Sequence, residues 1–228
     1  MTVPILAPPQ LVMNSRMLYT SWMPADPEAA AALLPPGARA AGPVYMNQYV
    51  VDSAEQTTGF GAYSLTYLGL DLADLKAPDG VTPGRYMLFY FNSSPIVRAY
   101  ASEHGLPATT GTTELSIHGH EIVATTFLDG RPVIRTTAHA KPHKIGSIAR
   151  GQLLYLTRKG DRFLAGNFPY IGELADDFSL ASIEFLDPSH PAYALRPKSP
   201  LEAVMGSSFF APRNSFVYPG GEYSVTLG

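Results

Sequence analysis

The side chains best suited to chemistry in this sequence include an arginine and a histidine at the edges of apolar segments. Arg16 precedes the apolar segment 17–22. A partly buried arginine must pair with a carboxylate or bind an anion such as a substrate carboxylate, and the sequence leaves both open. His104 lies in the last turn of a predicted helix, on the same face as Val97 and Tyr100. A helix C-terminus stabilises an imidazolium by about 0.3–1 kcal/mol, so His104 could act as a general acid or could cap the last carbonyl groups.

Metal binding is the second chemistry that the sequence raises, through the segment His118-Gly119-His120. Two histidines separated by one residue on a strand could hold a metal ion together with other ligands. However, Gly119 lies where a hairpin should turn, and the downstream glutamate that a cupin-like site requires is missing. The segment therefore predicts a structural turn, and we expect no metal site.

Capping residues, prolines and glycines predict the short helices that would flank these residues. Asp26 is an N-cap residue followed by proline, and the apolar run through Leu34 should continue the helix. Ser94 caps a second helix, which Gly105 ends. A third short helix is predicted to start at 199–200.

The remaining apolar segments alternate with polar residues and are rich in tyrosine and valine, which is typical of strands. Tight turns at Gly119 and at Asp129-Gly130 should join three of them into hairpins. The predicted strands lie at 16–22, 43–52, 59–70, 85–91, 112–118, 121–128, 132–140, 151–158, 162–168 and 179–186. Many short strands with few helices predict the α+β class, built as a curved antiparallel sheet or barrel.

Composition narrows the class of protein further. The net charge is −3 with no basic run, which argues against a nucleic-acid partner, and no apolar run approaches the roughly 18 residues of a membrane span. Without cysteine, the chain cannot hold disulfides, iron–sulfur clusters or a thiolate nucleophile, and we expect a cytoplasmic protein. Residues 1–15 are predicted to form an irregular arm, and 1–228 a single domain.

Several short motifs occur in an order that resembles the acetoacetate decarboxylase family. No one of them is specific, and the resemblance rests on the ordered set over 14–219. The motifs are Arg16, Leu33-Leu34-Pro35-Pro36-Gly37, Gly59-Phe60-Gly61-Ala62-Tyr63, the strand 86–91, Ser94-Pro95-Ile96-Val97, Gly105-Leu106-Pro107 and Pro200-Leu201-Glu202. The resemblance implies a curved sheet or barrel that encloses a pocket, and a homo-oligomer.

The same resemblance implies that the family's central chemistry is absent. In the family a lysine directly follows the proline of the Gly-x-Pro segment and forms a Schiff base with a ketone. That position is Ala108 here, the family's pocket glutamate falls at Leu65, and its Gly-Arg-Glu segment reads Tyr100-Ala101-Ser102. The pocket arginine is matched by Arg16. No cofactor is expected, because the family's chemistry requires neither a metal nor a nucleotide.

The remaining groups predict enolate chemistry in an apolar pocket, carried out by a lysine-independent lyase, cyclase or isomerase acting on a β-keto or polyketide-like small molecule. The predicted catalytic side chains are a cation and three proton donors or acceptors: Arg16, Tyr63, Tyr90 and His104. The predicted substrate-binding wall is apolar or aromatic: Leu65, Tyr100, Leu106 and Ala108. Two alternatives stay open, a non-catalytic protein that binds an apolar acid and a hydrolase with a water held by His104.

One variant tests the sequence interpretation directly. If Arg16 holds a substrate carboxylate, small keto acids should raise the melting temperature of the wild type and should not raise that of Arg16→Ala. Differential scanning fluorimetry with acetoacetate and pyruvate measures this. Equal shifts in the two proteins would exclude Arg16 as the anion anchor.

Overall fold

Strands dominate the structure, a computed structural model that describes residues 5–227. The two α-helices in that range are α1 (Pro27–Ala31) and α2 (Pro95–Glu103), and short 3₁₀ helices lie at Ala54–Gln56 and Pro191–Leu195. None of these described helices is long and apolar enough to cross a membrane. The strands are β1 (Gln10–Trp22), β2 (Ala40–Val51), β3 (Tyr63–Lys76), β4 (Pro83–Asn92), β5 (Ala108–Thr110), β6 (Thr112–His118), β7 (Glu121–Leu128), β8 (Arg131–Lys159), β9 (Arg162–Phe185), β10 (Phe209–Tyr218) and β11 (Tyr223–Val225).

Seven strands close on themselves into a ring. Their order is β9, β10, β1, β2, β3, β4 and β8, and β8 pairs again with β9. Neighbours in the ring are antiparallel except β4 and β8, which run parallel over residues 84–86 and 154–156. Beyond the ring, β7 and β6 extend the sheet from β8, β5 lies beside β4, and β11 lies beside β9. The curved sheet with few helices confirms the predicted fold class.

The two faces of the ring differ because successive side chains of a strand point to opposite faces. On β1, Met17 and Tyr19 belong to an inner cluster rich in tyrosine. Leu18, between them, packs in a different cluster with residues of β7 and of the first part of β8. The inside of the ring is therefore aromatic, and the outside is covered on one side by the rest of the sheet.

The first two of the three predicted helices form with the predicted caps. Asp26 and Ser94 each accept a hydrogen bond from a backbone N–H of the first turn, at 3.0 Å and 3.4 Å respectively. α1 ends at Ala31, short of the expected Leu34. Residues 32–34 continue as tighter turns, because Leu33 N–H bonds to the Ala30 carbonyl at 3.2 Å and Leu34 N–H to the Ala31 carbonyl at 3.0 Å.

The N-terminal arm is shorter than predicted because β1 already starts at Gln10. Gln10, Leu11 and Val12 pair with residues 216–218 of β10, near the other end of the chain. A contact over this separation leaves no local signal, so the sequence could not indicate it. Residues 1–4 of the predicted arm lie outside the described residues.

Four predicted strands belong to one long hairpin, which β8 and β9 form. The segments 132–140 and 151–158 belong to β8, and 162–168 and 179–186 overlap β9. The two strands pair along most of their length, with several register shifts. The intervening residues 141–150 are mostly exposed, including Ile145 and Ile148, so they lack the alternation of buried apolar and exposed polar residues that identifies a strand by sequence.

The helix predicted to start at 199–200 is wrong. The segment runs beside the end of β1 and forms no helix there, because Pro197 bridges to Pro24 and Ala203 bridges to Trp22. The Trp22 indole nitrogen donates to the Leu195 carbonyl at 2.8 Å in the same region. Long-range pairing thus decides the conformation against the local helix-start signal.

The backbones of β3 and β4 approach each other closely at Gly69. A Cβ at this position would lie 1.9 Å from the Tyr86 carbonyl oxygen, in a register shift between the two strands. Gly69→Ala should therefore lower the free energy of unfolding by about 1–3 kcal/mol or more, measured by chemical denaturation. The control is Gly151→Ala, where the added Cβ would meet only side-chain atoms of Tyr170, at 3.4 Å or more. Equal destabilisation of both variants would contradict the close approach.

Candidate functional site

A cavity of about 200 Å³ lies inside the ring of strands. This is smaller than the roughly 300–1,000 Å³ of pockets that take drug-sized ligands, so the cavity suits a small molecule. Its wall is mainly aromatic, with a few polar groups. The wall residues on which its chemistry depends are Tyr19, Asn47, Tyr67, Arg85, Tyr90 and Tyr155.

A row of directly paired residues crosses the inner face of the ring. Tyr19 of β1 faces Asn47 of β2, Asn47 faces Tyr67 of β3, and Tyr67 faces Tyr90 of β4. Ala108 of β5 continues the row beside Tyr90. Because opposite residues on neighbouring strands have Cβ atoms about 4.5–5.5 Å apart, the row brings a series of polar groups side by side.

One hydrogen-bonded group of side chains runs along this row. Asn47 Nδ2 donates to the Tyr67 hydroxyl at 2.8 Å and contacts Met17 Sδ at 3.3 Å. The Tyr67 and Tyr155 hydroxyls pair at 2.7 Å. Burial raises the pKa of both phenols, so they are protonated at neutral pH.

A second group links four tyrosines. The Tyr49 hydroxyl pairs with those of Tyr63 at 2.9 Å and Tyr218 at 3.0 Å, and Tyr218 pairs with Tyr90 at 3.2 Å. Burial raises the pKa of all four phenols. These hydroxyls can therefore donate hydrogen bonds at neutral pH, but they are poor bases.

Arg85 is the cation of the cavity wall. Its Nε donates to Oδ1 of Asp71 at 2.9 Å, and the two residues face each other across β3 and β4. The exposed fractions of the side chains are only 13% for Arg85 and 15% for Asp71. The guanidinium carbon lies 5.5 Å from the centre of the Tyr19 ring and 5.3 Å from that of Tyr45, within cation–π distance.

The Arg85 guanidinium stays charged within this ion pair. Burial lowers the pKa of Arg85, but Tyr19, Asp71 and Tyr155 together raise it by more. Burial raises the pKa of Asp71, and Arg85 offsets part of that effect. Arg85 Nη1 is shielded from solvent and has no protein partner, and the same is true of the Tyr19 hydroxyl. Two hydrogen-bonding groups beside the cavity are thus unsatisfied.

Arg16 does not lie at the cavity, contrary to the sequence expectation. Its guanidinium pairs with Asp52, with Nε to Oδ2 at 2.8 Å, and also donates to the Leu115 carbonyl at 3.0 Å. It precedes Met17, which faces the cavity, so it lies on the other face of β1. Arg16 thus pairs with a carboxylate, one of the two possibilities that the sequence left open, and Arg85 is the arginine that lines the cavity.

His104 also lies apart from the cavity wall. Its ring contacts that of Tyr100, with centroids 4.4 Å apart, which confirms the predicted shared helix face. Its Nδ1 lies 3.0 Å from Oε1 of Glu222, while its backbone N–H bonds to the last carbonyls of α2. The imidazole is therefore tied to a carboxylate rather than to the helix end, and it does not face the cavity.

The other six predicted site residues belong to, or pack against, the aromatic core cluster that surrounds the cavity. Tyr90 and Leu106 line the cavity itself. The remaining four belong to, or pack against, the aromatic core cluster behind the wall: Tyr63, Leu65, Tyr100 and Ala108. Their proposed roles in binding and catalysis stay predictions.

The predicted turn at Gly119 is confirmed. Its φ of +64° is typical of glycine in a tight turn between β6 and β7. Within residues 5–227 no group of three or more histidine, cysteine, aspartate or glutamate side chains could hold a metal ion. His120 Nδ1 lies 3.0 Å from the Ala140 carbonyl oxygen, a structural contact.

Arg85 is the functional candidate that the sequence analysis missed. It was assigned only to the start of an apolar strand. Two signals could have identified it: an arginine leading into the apolar run 86–91, and Asp71 at the end of the preceding apolar strand, where a hairpin can bring the two together.

The ring-shaped fold is that of acetoacetate decarboxylase and of enzymes with the same architecture. Acetoacetate decarboxylase from Legionella pneumophila has a TM-score of 0.68 and 15% identity, with 96% of this chain and 88% of that chain covered. The enduracididine biosynthesis enzyme MppR complexed with pyruvate has a TM-score of 0.65 and 15% identity, with 98% of this chain and 92% of that chain covered. An acetoacetate decarboxylase-like enzyme from Sphingomonas wittichii RW1 has a TM-score of 0.65 and 13% identity, with 98% of this chain and 95% of that chain covered. No family model and no curated protein matches the sequence.

These likenesses establish the fold. They confirm the fold that the ordered motifs implied, over nearly the whole chain. At 13–15% identity they do not carry over an activity. The chemistry must be argued from the cavity of this chain.

The Arg85–Asp71 pair generates a stability prediction. Arg85→Met leaves a buried carboxylate unpaired and should lower the free energy of unfolding by about 3–5 kcal/mol. The double variant Arg85→Met/Asp71→Leu removes both charges and should recover most of that loss. Chemical denaturation at pH 7 measures both. The control is Arg39→Met, which breaks the exposed pair with Asp74 and should change stability little. A double variant as unstable as the single one would show that the pair is not coupled.

The His104–Glu222 contact generates a pH prediction. Hydrogen bonding to His104 lowers the pKa of Glu222 below its ordinary value of 4.5. The contact therefore stabilises the fold above about pH 4.5, and that contribution is lost as the pH falls through the lowered pKa. Glu222→Gln should cost about 0.5–1 kcal/mol at pH 7 and less at pH 3.5. If the stability difference between wild type and Glu222→Gln does not shrink on acidification, the contact does not contribute as predicted. An equal loss of stability in the exposed control Glu114→Gln would contradict the prediction as well.

Proposed function

We propose that this chain is a lysine-independent lyase that binds a small β-keto acid and stabilises the enolate formed from it, with Arg85 as the anion-binding group. The observation that carries the proposal is Arg85 itself, a cationic side chain that lines the cavity and is 13% exposed. A cation on a cavity wall can hold a carboxylate or an enolate oxygen by charge-assisted hydrogen bonds. The unpartnered Tyr19 hydroxyl lies beside it and could donate to the same anion.

The lysines support a mechanism without a Schiff base. An amine nucleophile needs a lowered pKa, which proteins obtain by burying the lysine or placing it near other cations. None of the five lysines of this chain is buried, and four of them are paired with carboxylates: Lys141, Lys144, Lys159 and Lys198, with Lys76 the fifth. A cationic guanidinium is not a nucleophile, so the contribution of Arg85 would be electrostatic.

The phenols favour a lyase over an isomerase or cyclase that begins with base abstraction. Buried Tyr67, Tyr90 and Tyr155 have raised pKa values and can donate protons, but they are poor general bases. Decarboxylation needs no base, because loss of carbon dioxide itself leaves the electron pair as an enolate. Arg85 would stabilise the enolate oxygen. A phenol such as Tyr90 would deliver a proton to carbon and regain one from water, so that the net reaction takes up one proton and releases carbon dioxide.

The size of the cavity and one structural neighbour agree with this substrate class. A volume of about 200 Å³ suits a short-chain acid better than an extended polyketide. The neighbour MppR is complexed with pyruvate, which is a small keto acid. The alternative that the sequence raised, a non-catalytic acid binder, would use the same cavity and the same arginine, so only turnover separates the two.

The test compares binding and turnover in matched variants. Acetoacetate and pyruvate should raise the melting temperature of the wild type, since a ligand at 100 times its dissociation constant adds about 2.7 kcal/mol. The stabilisation should be lost in Arg85→Met/Asp71→Leu and kept in Arg39→Met and Arg16→Ala. Carbon dioxide release from acetoacetate then reports turnover.

Each outcome of this test assigns a different role. Binding that depends on Arg85, together with carbon dioxide release, supports the lyase. Binding without release supports the acid binder, and stabilisation that survives the double variant would reject Arg85 as the anchor.

A further inference from the structure

The cavity wall has an apolar patch in addition to its charged group. Arg85 supplies the charge. The apolar patch consists of Leu153 of β8, Phe168 of β9 and Phe216 of β10, which line the cavity and are only partly buried. Because these three side chains keep accessible surface, they can contact a molecule that enters the cavity.

The strand register places the apolar patch near Arg85. Arg85 of β4 pairs with Tyr155 of β8, and Leu153 lies on the same face of β8 as Tyr155, two residues earlier. Leu153 in turn pairs with Phe168 across β8 and β9. Two residues along a strand span about 6.6 Å and neighbouring strands lie about 4.8 Å apart, so the backbones of Leu153 and Arg85 are about 8 Å apart.

The two phenylalanine rings of the patch are fixed by other aromatic rings. The Phe168 ring packs edge-on against the rings of Tyr155 and Tyr218, with centroids 5.4 Å and 5.8 Å apart. The Phe216 ring packs in the same way against Tyr218 at 5.6 Å and against Tyr49 at 5.3 Å. Rings held at such angles offer faces and edges to a further ring in the edge-to-face arrangement that aromatic pairs prefer.

The volume of the cavity accommodates such a ring. An apolar protein cavity of about 150 Å³ binds benzene. The cavity of this chain measures about 200 Å³, which leaves room for a few more atoms beside an aromatic ring. The methyl group of acetoacetate, in contrast, would leave most of the patch uncovered.

The chemistry of the proposed reaction determines which part of the substrate lies near the patch. In a β-keto acid, the acyl substituent is bonded to the carbon atom that carries the future enolate oxygen. If Arg85 holds that oxygen, the substituent lies beside Arg85 and not at the far end of the molecule. The substituent is therefore the part of the substrate within reach of Leu153 and Phe168.

We propose that the substrate is an aryl β-keto acid, of which benzoylacetate is the simplest, with its enolate oxygen at Arg85 and its ring on the patch of Leu153, Phe168 and Phe216. This inference rests on the proposed function and names the substrate class of the same site. The reaction takes up one proton and converts benzoylacetate into acetophenone and carbon dioxide.

The test compares three acids that differ only in the acyl substituent: benzoylacetate, 3-cyclohexyl-3-oxopropanoate and acetoacetate. Carbon dioxide release, corrected for the rate without protein, gives kcat/KM for each. The value for benzoylacetate should exceed that for acetoacetate by about tenfold or more, because a phenyl ring buries more apolar surface than a methyl group. It should exceed that for the cyclohexyl acid by about twofold or more, because a cyclohexyl group of similar size cannot make aromatic contacts.

Two variants remove one ring each from the patch. Phe168→Leu and Phe216→Leu should each lower kcat/KM for benzoylacetate by about 2–10-fold and change that for acetoacetate by less than about twofold. The two residues lie on different strands, so if one variant fails to fold the other still tests the patch. Phe163→Leu is the matched control, because Phe163 is a partly buried residue of β9 that packs against Tyr86 and does not line the cavity. It should leave the preference for benzoylacetate intact.

The outcomes separate this inference from the proposed function. Turnover of acetoacetate that is as efficient as that of benzoylacetate, or more so, would overturn the inference and leave the proposed function standing. Equal turnover of the phenyl and cyclohexyl acids would overturn it too, as would a preference that survives in both Phe168→Leu and Phe216→Leu. Failure of all three acids to turn over would overturn both proposals.

Discussion

The structure depends on one buried ion pair, Arg85 with Asp71. Taking two charges out of water costs several kcal/mol per ion in proteins, so the surrounding structure must hold the pair in good geometry. The register of β3 and β4 sets the two residues opposite each other, and Gly69 allows the close approach just before them. Tyr19 and Tyr45 cover the guanidinium with their rings. Asp71 thus pairs with one side of the Arg85 guanidinium, while Nη1 of the same group has no protein partner.

The phenols around this charge follow from the same constraint. A cavity closed by a ring of strands offers little water, so further charged groups would be expensive, whereas hydroxyls can satisfy one another. Tyr49, Tyr63, Tyr90 and Tyr218 do so in one group, and Tyr67 with Tyr155 in another. Burial keeps them all protonated. The result is a cavity rich in donors that has one cation and lacks an obvious base among its wall phenols.

The sequence predicted the locally determined features and missed those that long-range pairing decides. Caps at Asp26 and Ser94 and the turn at Gly119 depend on neighbouring residues, and all three are confirmed. The cavity arginine was wrongly identified because Arg16 was assigned to the pocket by resemblance. Met17 faces the cavity, so the alternation of β1 places Arg16 on the other face. The sequence does not show which face of β1 lines a cavity, because that depends on distant strands closing into a ring.

The position of Ala108 explains how this fold can keep its cavity while changing its chemistry. Ala108 lies beside Tyr90 at the end of the row that begins with Tyr19, so a lysine there could reach the same cavity. With alanine in that place, the positive charge comes instead from Arg85 at the opposite end of the row. A lysine amine can form a covalent intermediate, whereas a guanidinium acts through charge and paired hydrogen bonds. Under the proposed function, electrostatic stabilisation by Arg85 would stand in place of the covalent catalysis that a lysine at position 108 could carry out.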